Sequence, residues 1–179
     1  RQTWSKQRIE VDPETGTNRP PRLRHQPRAA PPMLIDAAAI RALIPHAGPM
    51  CLLDRVQAWD TERIRCIATS HRRPDNPMRR QGRLGIACGI EYGAQAMAVH
   101  GALTAPPGQP QRPGYLASVR DTRCHAGSFD GCGDEMVVDA QLLVAEGVRM
   151  IYAFSLSCAG RTLIEGRAAV VLGPVPAAG

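Results

Sequence analysis

Glu91 is the only formally charged residue between Leu84 and Leu103, a segment of apolar and small side chains. A carboxyl group in such a setting is costly unless it is protonated or paired. Desolvation favours the protonated form of a carboxyl, which suits a general acid. A plain helix-dipole role near the first turn of a helix is the other reading. Gln95 lies one helical turn after Glu91 and can hold its carboxyl through an i,i+4 contact. A buried amide satisfied by backbone would place the same residue there. An acid needs a base for proton-transfer chemistry, and five histidines are available. His71 is the expected base, because it ends a strand-like run and begins a basic loop. An ordinary strand-end histidine facing solvent is the alternative. Asn76, in the same loop, is a candidate oxyanion or orienting group. His46, between Pro45 and Pro49, reads as a structural loop residue, and His100 as a satisfied core histidine.

Between Arg72 and Arg83 stand Arg72, Arg73, Arg79, Arg80 and Arg83 against one acid, Asp75. Such a cluster attracts an anionic partner; a solvated loop is the equal alternative. The six cysteines, Cys51, Cys66, Cys88, Cys124, Cys132 and Cys158, form no CxxC pair and sit in apolar patterns. They read as reduced thiols in a cytoplasmic protein, with no metal site and no cofactor expected. No apolar run reaches the length of a membrane span.

These side chains need positioning elements. The chain has 179 residues, enough for one domain. Residues 1–32 carry seven Lys+Arg, three acids and little apolar pattern. They read as a disordered Arg/Pro-rich segment. They also hold most of the net charge of +6, so the rest is only mildly basic and a nucleic-acid partner is not expected. Residues 33–173 read as one domain and 174–179 as a frayed tail. Within the domain, Met33–Ile44 reads as a short helix with Asp36 as its N-cap, ended by Pro45. Pro49–Val56 and Glu62–Ser70 read as a strand hairpin. His71–Arg83 is an irregular loop. Leu84–Leu103 reads as a helix buried on all sides, whose small residues admit close neighbours. Four strands follow, Gly114–Arg123, Glu135–Glu146, Arg149–Cys158 and Arg161–Leu172, with tight turns at Glu146-Gly147 and Ala159-Gly160. The order implies an α+β fold, one long helix against an antiparallel sheet. An unpaired sheet edge implies a homodimer.

Two segments carry a family resemblance. Leu43–Val56, LIPHAGPMCLLDRV, resembles the LxPHxxPxLLxDRV segment of bacterial 3-hydroxyacyl-[acyl-carrier-protein] dehydratases. Gly89–Met97, GIEYGAQAM, is similar to the start of their central helix. Ser70–Leu84 with GIEYGAQAM is most similar to the branch found in aryl-polyene and related fatty-acid or polyketide clusters. The resemblance implies a hot-dog fold, a long central helix wrapped by an antiparallel sheet. It also implies removal of water from a 3-hydroxyacyl thioester without a cofactor. A histidine takes the α proton, and a helix carboxyl contributed by the other subunit protonates the β hydroxyl. Backbone N–H groups at the helix start polarise the thioester carbonyl; Gly85 or Ile86 stands at that register. In the best-known relatives the histidine lies at the register of Asn76-Pro77, where this chain has none. His71 is the expected substitute, matching the branch pattern SHRxP. The five arginines would then meet an acidic acyl carrier protein or the phosphate of its arm. A hot-dog thioesterase and a non-catalytic hot-dog subunit are the alternatives, since one fold hosts all three.

Overall fold

The computed structural model describes residues 35–108 and 112–174. Readings made for residues 1–32 and for 175–179 lie outside the described residues. Among the described residues are two α-helices and seven strands in a single antiparallel sheet. No described helix is long and apolar enough to cross a membrane.

The first element, β1 (Ile35–Asp36), is a two-residue strand. It leads into α1 (Ala37–Leu43), which starts where Asp36 accepts a hydrogen bond from the Ala39 N–H. Pro45 follows the C-cap, Ile44, so the helix stops at the expected place. The apolar run after it departs from expectation. Gly48–Met50 is a single 3-10 turn, and the strand β2 occupies Arg55–Trp59 rather than Pro49–Val56. Cys51, Leu52 and Leu53 are buried without ladder pairing; the Leu52 N–H donates to Gln95 instead. Burial alone made this run apolar.

Strand β3 (Arg63–Ala68) pairs with β2 on one side and β5 (Met136–Glu146) on the other. Strands β6 (Arg149–Cys158) and β7 (Arg161–Leu172) continue the sheet, and β4 (Gly114–Cys124) closes its far edge. The order is β1-β2-β3-β5-β6-β7-β4. Two-residue turns join β5 to β6 and β6 to β7. Ala159 and Gly160 both have positive φ, 48° and 76°, as a twist-matched hairpin turn requires.

The long helix α2 (Gly89–Thr104) lies across this sheet, preceded by a 3-10 turn at Ile86–Cys88. Ile64, Cys66, Val138, Phe154, Leu156 and Ile164 form the buried sheet face. Tyr92, Ala96, Met97 and Val99 meet them from the helix. Two glycines set how closely the layers approach. A methyl on Gly89 would meet Ile164 Cγ2 at 2.8 Å and Phe129 Cζ at 2.9 Å. One on Gly93 would meet Phe154 Cδ2 at 3.0 Å. The helix is not enclosed on every side within one chain. Glu91, Ala94, Ala98 and Gly101, spaced along one face, are half-buried.

Candidate active site

The segment 46–52 and the first two turns of α2 are locked together by one side chain. Gln95 is fully buried. Its carbonyl accepts from the Leu52 N–H at 2.9 Å. Its amide donates to the Met50 carbonyl at 2.8 Å and to Glu91 Oε1 at 3.0 Å. The i,i+4 contact expected from the sequence is therefore present, and it forms part of a bridge between two elements. That bridge brings His46 onto the helix. His46 Nε2 stands 3.0 Å from the same Glu91 oxygen, with the two side chains 29% and 30% exposed. The His46 Nδ1 is buried without a hydrogen-bond partner, while its backbone carbonyl accepts from the Cys51 thiol at 3.1 Å.

The imidazole and carboxyl thus share one proton position and face a partly open surface. Such a pair can accept a proton at nitrogen, deliver one from oxygen, and pass a proton directly between the two. The sequence reading assigned His46 to loop structure; its position beside Glu91 was not visible from spacing, since 43 residues separate even Leu52 from Gln95.

His71 is not brought to Glu91. It is 1% exposed, in a 3-10 turn at Ser70–Arg72, and its Nε2 donates to the Gly133 carbonyl at 3.0 Å. Burial pushes its pKa below the ordinary histidine value, with the neighbouring Gly133 and Ala68 carbonyls pulling the other way.

Asn76 is likewise committed to structure. It is buried; its amide donates to the Ser70 carbonyl and to Tyr92 Oη, and its oxygen accepts from the Met78 N–H. Tyr92, unremarked in the sequence, centres this network. Its hydroxyl meets Ser70 Oγ at 2.9 Å, and Ser70 Oγ donates to the Leu52 carbonyl at 2.7 Å. Burial raises the Tyr92 pKa, against its hydrogen bonds with Ser70 and Asn76, so the phenol stays neutral. The network fixes the irregular loop onto the helix and the His46 segment.

At the helix start, Gly85 forms a bridge with Ser128. The flanking groups hold it: Phe129 N–H donates to the Leu84 carbonyl and Ile86 N–H to the Gly127 carbonyl. The Ile86 N–H, expected to polarise a thioester, is therefore spent on the protein.

The arginine loop is less bare than its sequence. Arg72 pairs with Asp134, Arg79 with Asp130 at 3.0 Å, and Arg73 with Asp75 at 3.2 Å. Arg79 also donates to the carbonyls of His71, Arg73 and Gly82, so it organises the loop from within. Arg80 and Arg83 are exposed, Arg83 standing 3.8 Å from Asp130.

The cysteines also depart from expectation. Cys132 and Cys158 are joined as a disulfide, with Cα atoms 5.8 Å apart. Cys51, Cys66, Cys88 and Cys124 are free, and burial pushes the Cys66 thiol up to about 12.

The chain and its fold are similar to those of known proteins. The ApeP-like family model, described as ApeP dehydratase, matches residues 38–177. No curated protein matches the chain. Among solved structures, the dehydratase heterocomplex ApeI:P from Xenorhabdus doucetiae is 25% identical, with TM-score 0.64 over 75% of this chain and 91% of that one. Zebra fish thioesterase superfamily member 2 is 16% identical, with TM-score 0.55 over 76% of this chain and 95% of that one. Thioesterase HI1161 from Haemophilus influenzae is 8% identical, with TM-score 0.51 over 68% and 78%. The last two likenesses concern the fold, which is the hot-dog fold.

Proposed function

The chain belongs to the ApeP-like dehydratase family, and on that premise we propose that it removes water from a 3-hydroxyacyl thioester, with His46 as base and Glu91 as acid. The observation that carries this reading is the 3.0 Å contact of His46 Nε2 with Glu91 Oε1, held by Gln95. The substrate's α and β carbons enter beside the pair. His46 Nε2 takes the α proton, and the protonated Glu91 gives its proton to the departing β hydroxyl, which leaves as water. The trans-2-enoyl thioester departs, and the proton on His46 returns to Glu91 across their contact. Hydroxide is a poor leaving group, so the acid is needed, and a thioester α proton is weakly acidic, so the base and a polarised carbonyl are needed. The start of α2, with its positive dipole end, favours charge developing on that carbonyl. Gly85, exposed just before the helix, is the position at which a thioester can approach backbone closely. His46 takes the role that sequence alone assigned to His71.

The acyl group is delivered on an acidic carrier protein, and Arg80 and Arg83 are the exposed cations that meet it. Assembly uses the β4 edge, where Tyr115 is 60% and Leu116 42% exposed. A second copy of this chain would pair there. A related hot-dog subunit is the alternative, supported by the heterocomplex of the Xenorhabdus relative.

The test is incubation of a 3-hydroxyacyl carrier protein with the purified chain, followed by mass spectrometry of the thioester. Loss of water by wild type, abolished in Glu91→Gln, supports the proposal. Release of free acid would replace it with a thioesterase. No product from an assembled protein would replace it with a non-catalytic subunit.

A further inference from the structure

At the start of the irregular loop, three metal-type donors meet. A ring nitrogen of His71 and the Sγ atoms of Cys132 and Cys158 all lie within 4.8 Å of one another. The fold assembles them from three places: the turn after β3, the loop before β5, and the last residue of β6. The register that pairs Met136 with Cys158 brings the Cys132 loop back over that strand end. Sequence spacing gave no sign of this, which is why no metal was expected.

The state of the histidine supplies an independent observation. The Gly133 carbonyl can only accept, so His71 Nε2 carries the proton and donates it at 3.0 Å. In the neutral ring Nδ1 is then a bare lone pair. It is buried and makes no hydrogen bond of good geometry, with the Ala68 carbonyl near the ring as its nearest polar neighbour. A buried polar atom without a partner is rare and costly. The arrangement of one ring nitrogen fixed by a backbone carbonyl, with the other free, is also the arrangement that metal-ligating histidines adopt. A cavity of about 320 Å³ lined by Asp130, Cys132, Gly133, Cys158 and Arg161 opens beside the two cysteines.

We propose that Cys132, Cys158 and His71 form a binding site for a borderline-soft divalent cation of the zinc type when the two cysteines are reduced. Two thiolates and an imidazole are a donor set suited to tetrahedral zinc, leaving the fourth position to water or an exogenous ligand. The disulfide and the metal are mutually exclusive occupants of the same sulfurs. A dithiol reductant supplies two electrons: it becomes a cyclic disulfide while Cys132 and Cys158 become thiols. Binding of the cation then releases both thiol protons to the buffer and forms two metal–sulfur bonds. The site shares no residue with the His46–Glu91 pair.

The experiment uses the full chain, reduced with a dithiol that is then removed under inert gas, and cobalt(II) as the probe. Reduced wild type is expected to bind one ion with thiolate-to-cobalt charge-transfer and tetrahedral d–d absorption. The disulfide form should show neither. Cys132→Ser, at a half-buried position, should lose the bands. His71→Gln should bind about tenfold more weakly or worse, and Glu91→Gln should bind as wild type does. On unsubstituted protein, zinc should protect Cys132 and Cys158, and not Cys124, from iodoacetamide. Absence of a thiolate band in reduced wild type, a band that survives Cys132→Ser, or a lack of protection would overturn the proposal.

Discussion

Replacing Gln95 by alanine tests how the site is held together. The side chain is fully buried and makes three hydrogen bonds, to Leu52 N–H, the Met50 carbonyl and Glu91. Leu52 is itself fully buried, so its N–H would lose its partner with no water to replace it. One such orphan costs about 1–3 kcal/mol. The Met50 carbonyl loses a donor as well, and a cavity remains. A total loss of about 3 kcal/mol is expected, read as a lower midpoint in urea unfolding with the slope unchanged. For a chain of this size that corresponds to about 6–12 °C in Tm. Glu91 also loses the group that fixes its carboxyl against His46. A misplacement on the order of 1 Å costs about a hundredfold in rate, so kcat should fall by about 10- to 100-fold with KM little changed. Gln95→Glu keeps an acceptor for Leu52 N–H but sets a buried carboxyl against the Met50 carbonyl and Glu91, so it should be at least as destabilised as the alanine variant and lose at least about tenfold in kcat. A Gln95→Ala protein within about 0.5 kcal/mol of wild type, turning over at an unchanged rate, would refute the bridge.

Other outcomes follow from the packing and from burial. Gly89→Ala should destabilise the fold by about 1–3 kcal/mol, because its methyl would enter Ile164 and Phe129. Gly101→Ala, with open space around the same atom, should be neutral or stabilising by up to about 1 kcal/mol; thermal unfolding of the two variants compares them. His100 is fully buried between Tyr152 Oη and the Asp60 carbonyl, each at 3.0 Å, and desolvation lowers its pKa against the opposing influence of Asp60. The unfolded chain then binds the proton more readily. The histidine's contribution is fully present above its unfolded pKa of about 6.5 and is lost as pH falls from there towards its folded value. Urea unfolding at two pH values on either side of that figure should show lower stability at the acid one, with a smaller difference in His100→Gln; equal slopes in the two proteins would contradict this. Charge reversal at Arg80 and Arg83 together should raise KM for a carrier-bound substrate and leave a short pantetheine thioester unaffected, as steady-state kinetics would show.

The strands after the helix were legible because their side chains alternate. Arg149–Cys158 and Arg161–Leu172 match the observed bounds of β6 and β7 residue for residue. The long helix was legible from its length, its lack of charge and its small residues. Pro49–Leu53 misled because a continuous apolar run signals burial and not ladder pairing; a side chain from α2 satisfies its backbone. Glu91 and its i,i+4 partner Gln95 could be read locally, on one helix. The imidazole beside the acid could not, since it depends on a contact between distant segments. The resemblance pointed to His46 as part of a segment and gave it no role. Similarly, the arginine loop looked highly charged because Asp130 and Asp134, which neutralise it, come from a loop far along the chain. The cysteine pair depends on the β5–β6 register, which no short spacing encodes.

The assignment of the base is the centre of the account, and one comparison of two variants tests it. Turnover of a 3-hydroxyacyl carrier protein to the enoyl form would be measured for wild type, His46→Ala and His71→Ala, each checked for assembly. Loss of at least about a hundredfold in kcat is expected for His46→Ala, while His71→Ala loses stability but keeps kcat in whatever fraction remains folded. Full water loss by His46→Ala, with turnover abolished in a folded His71→Ala protein, would contradict it.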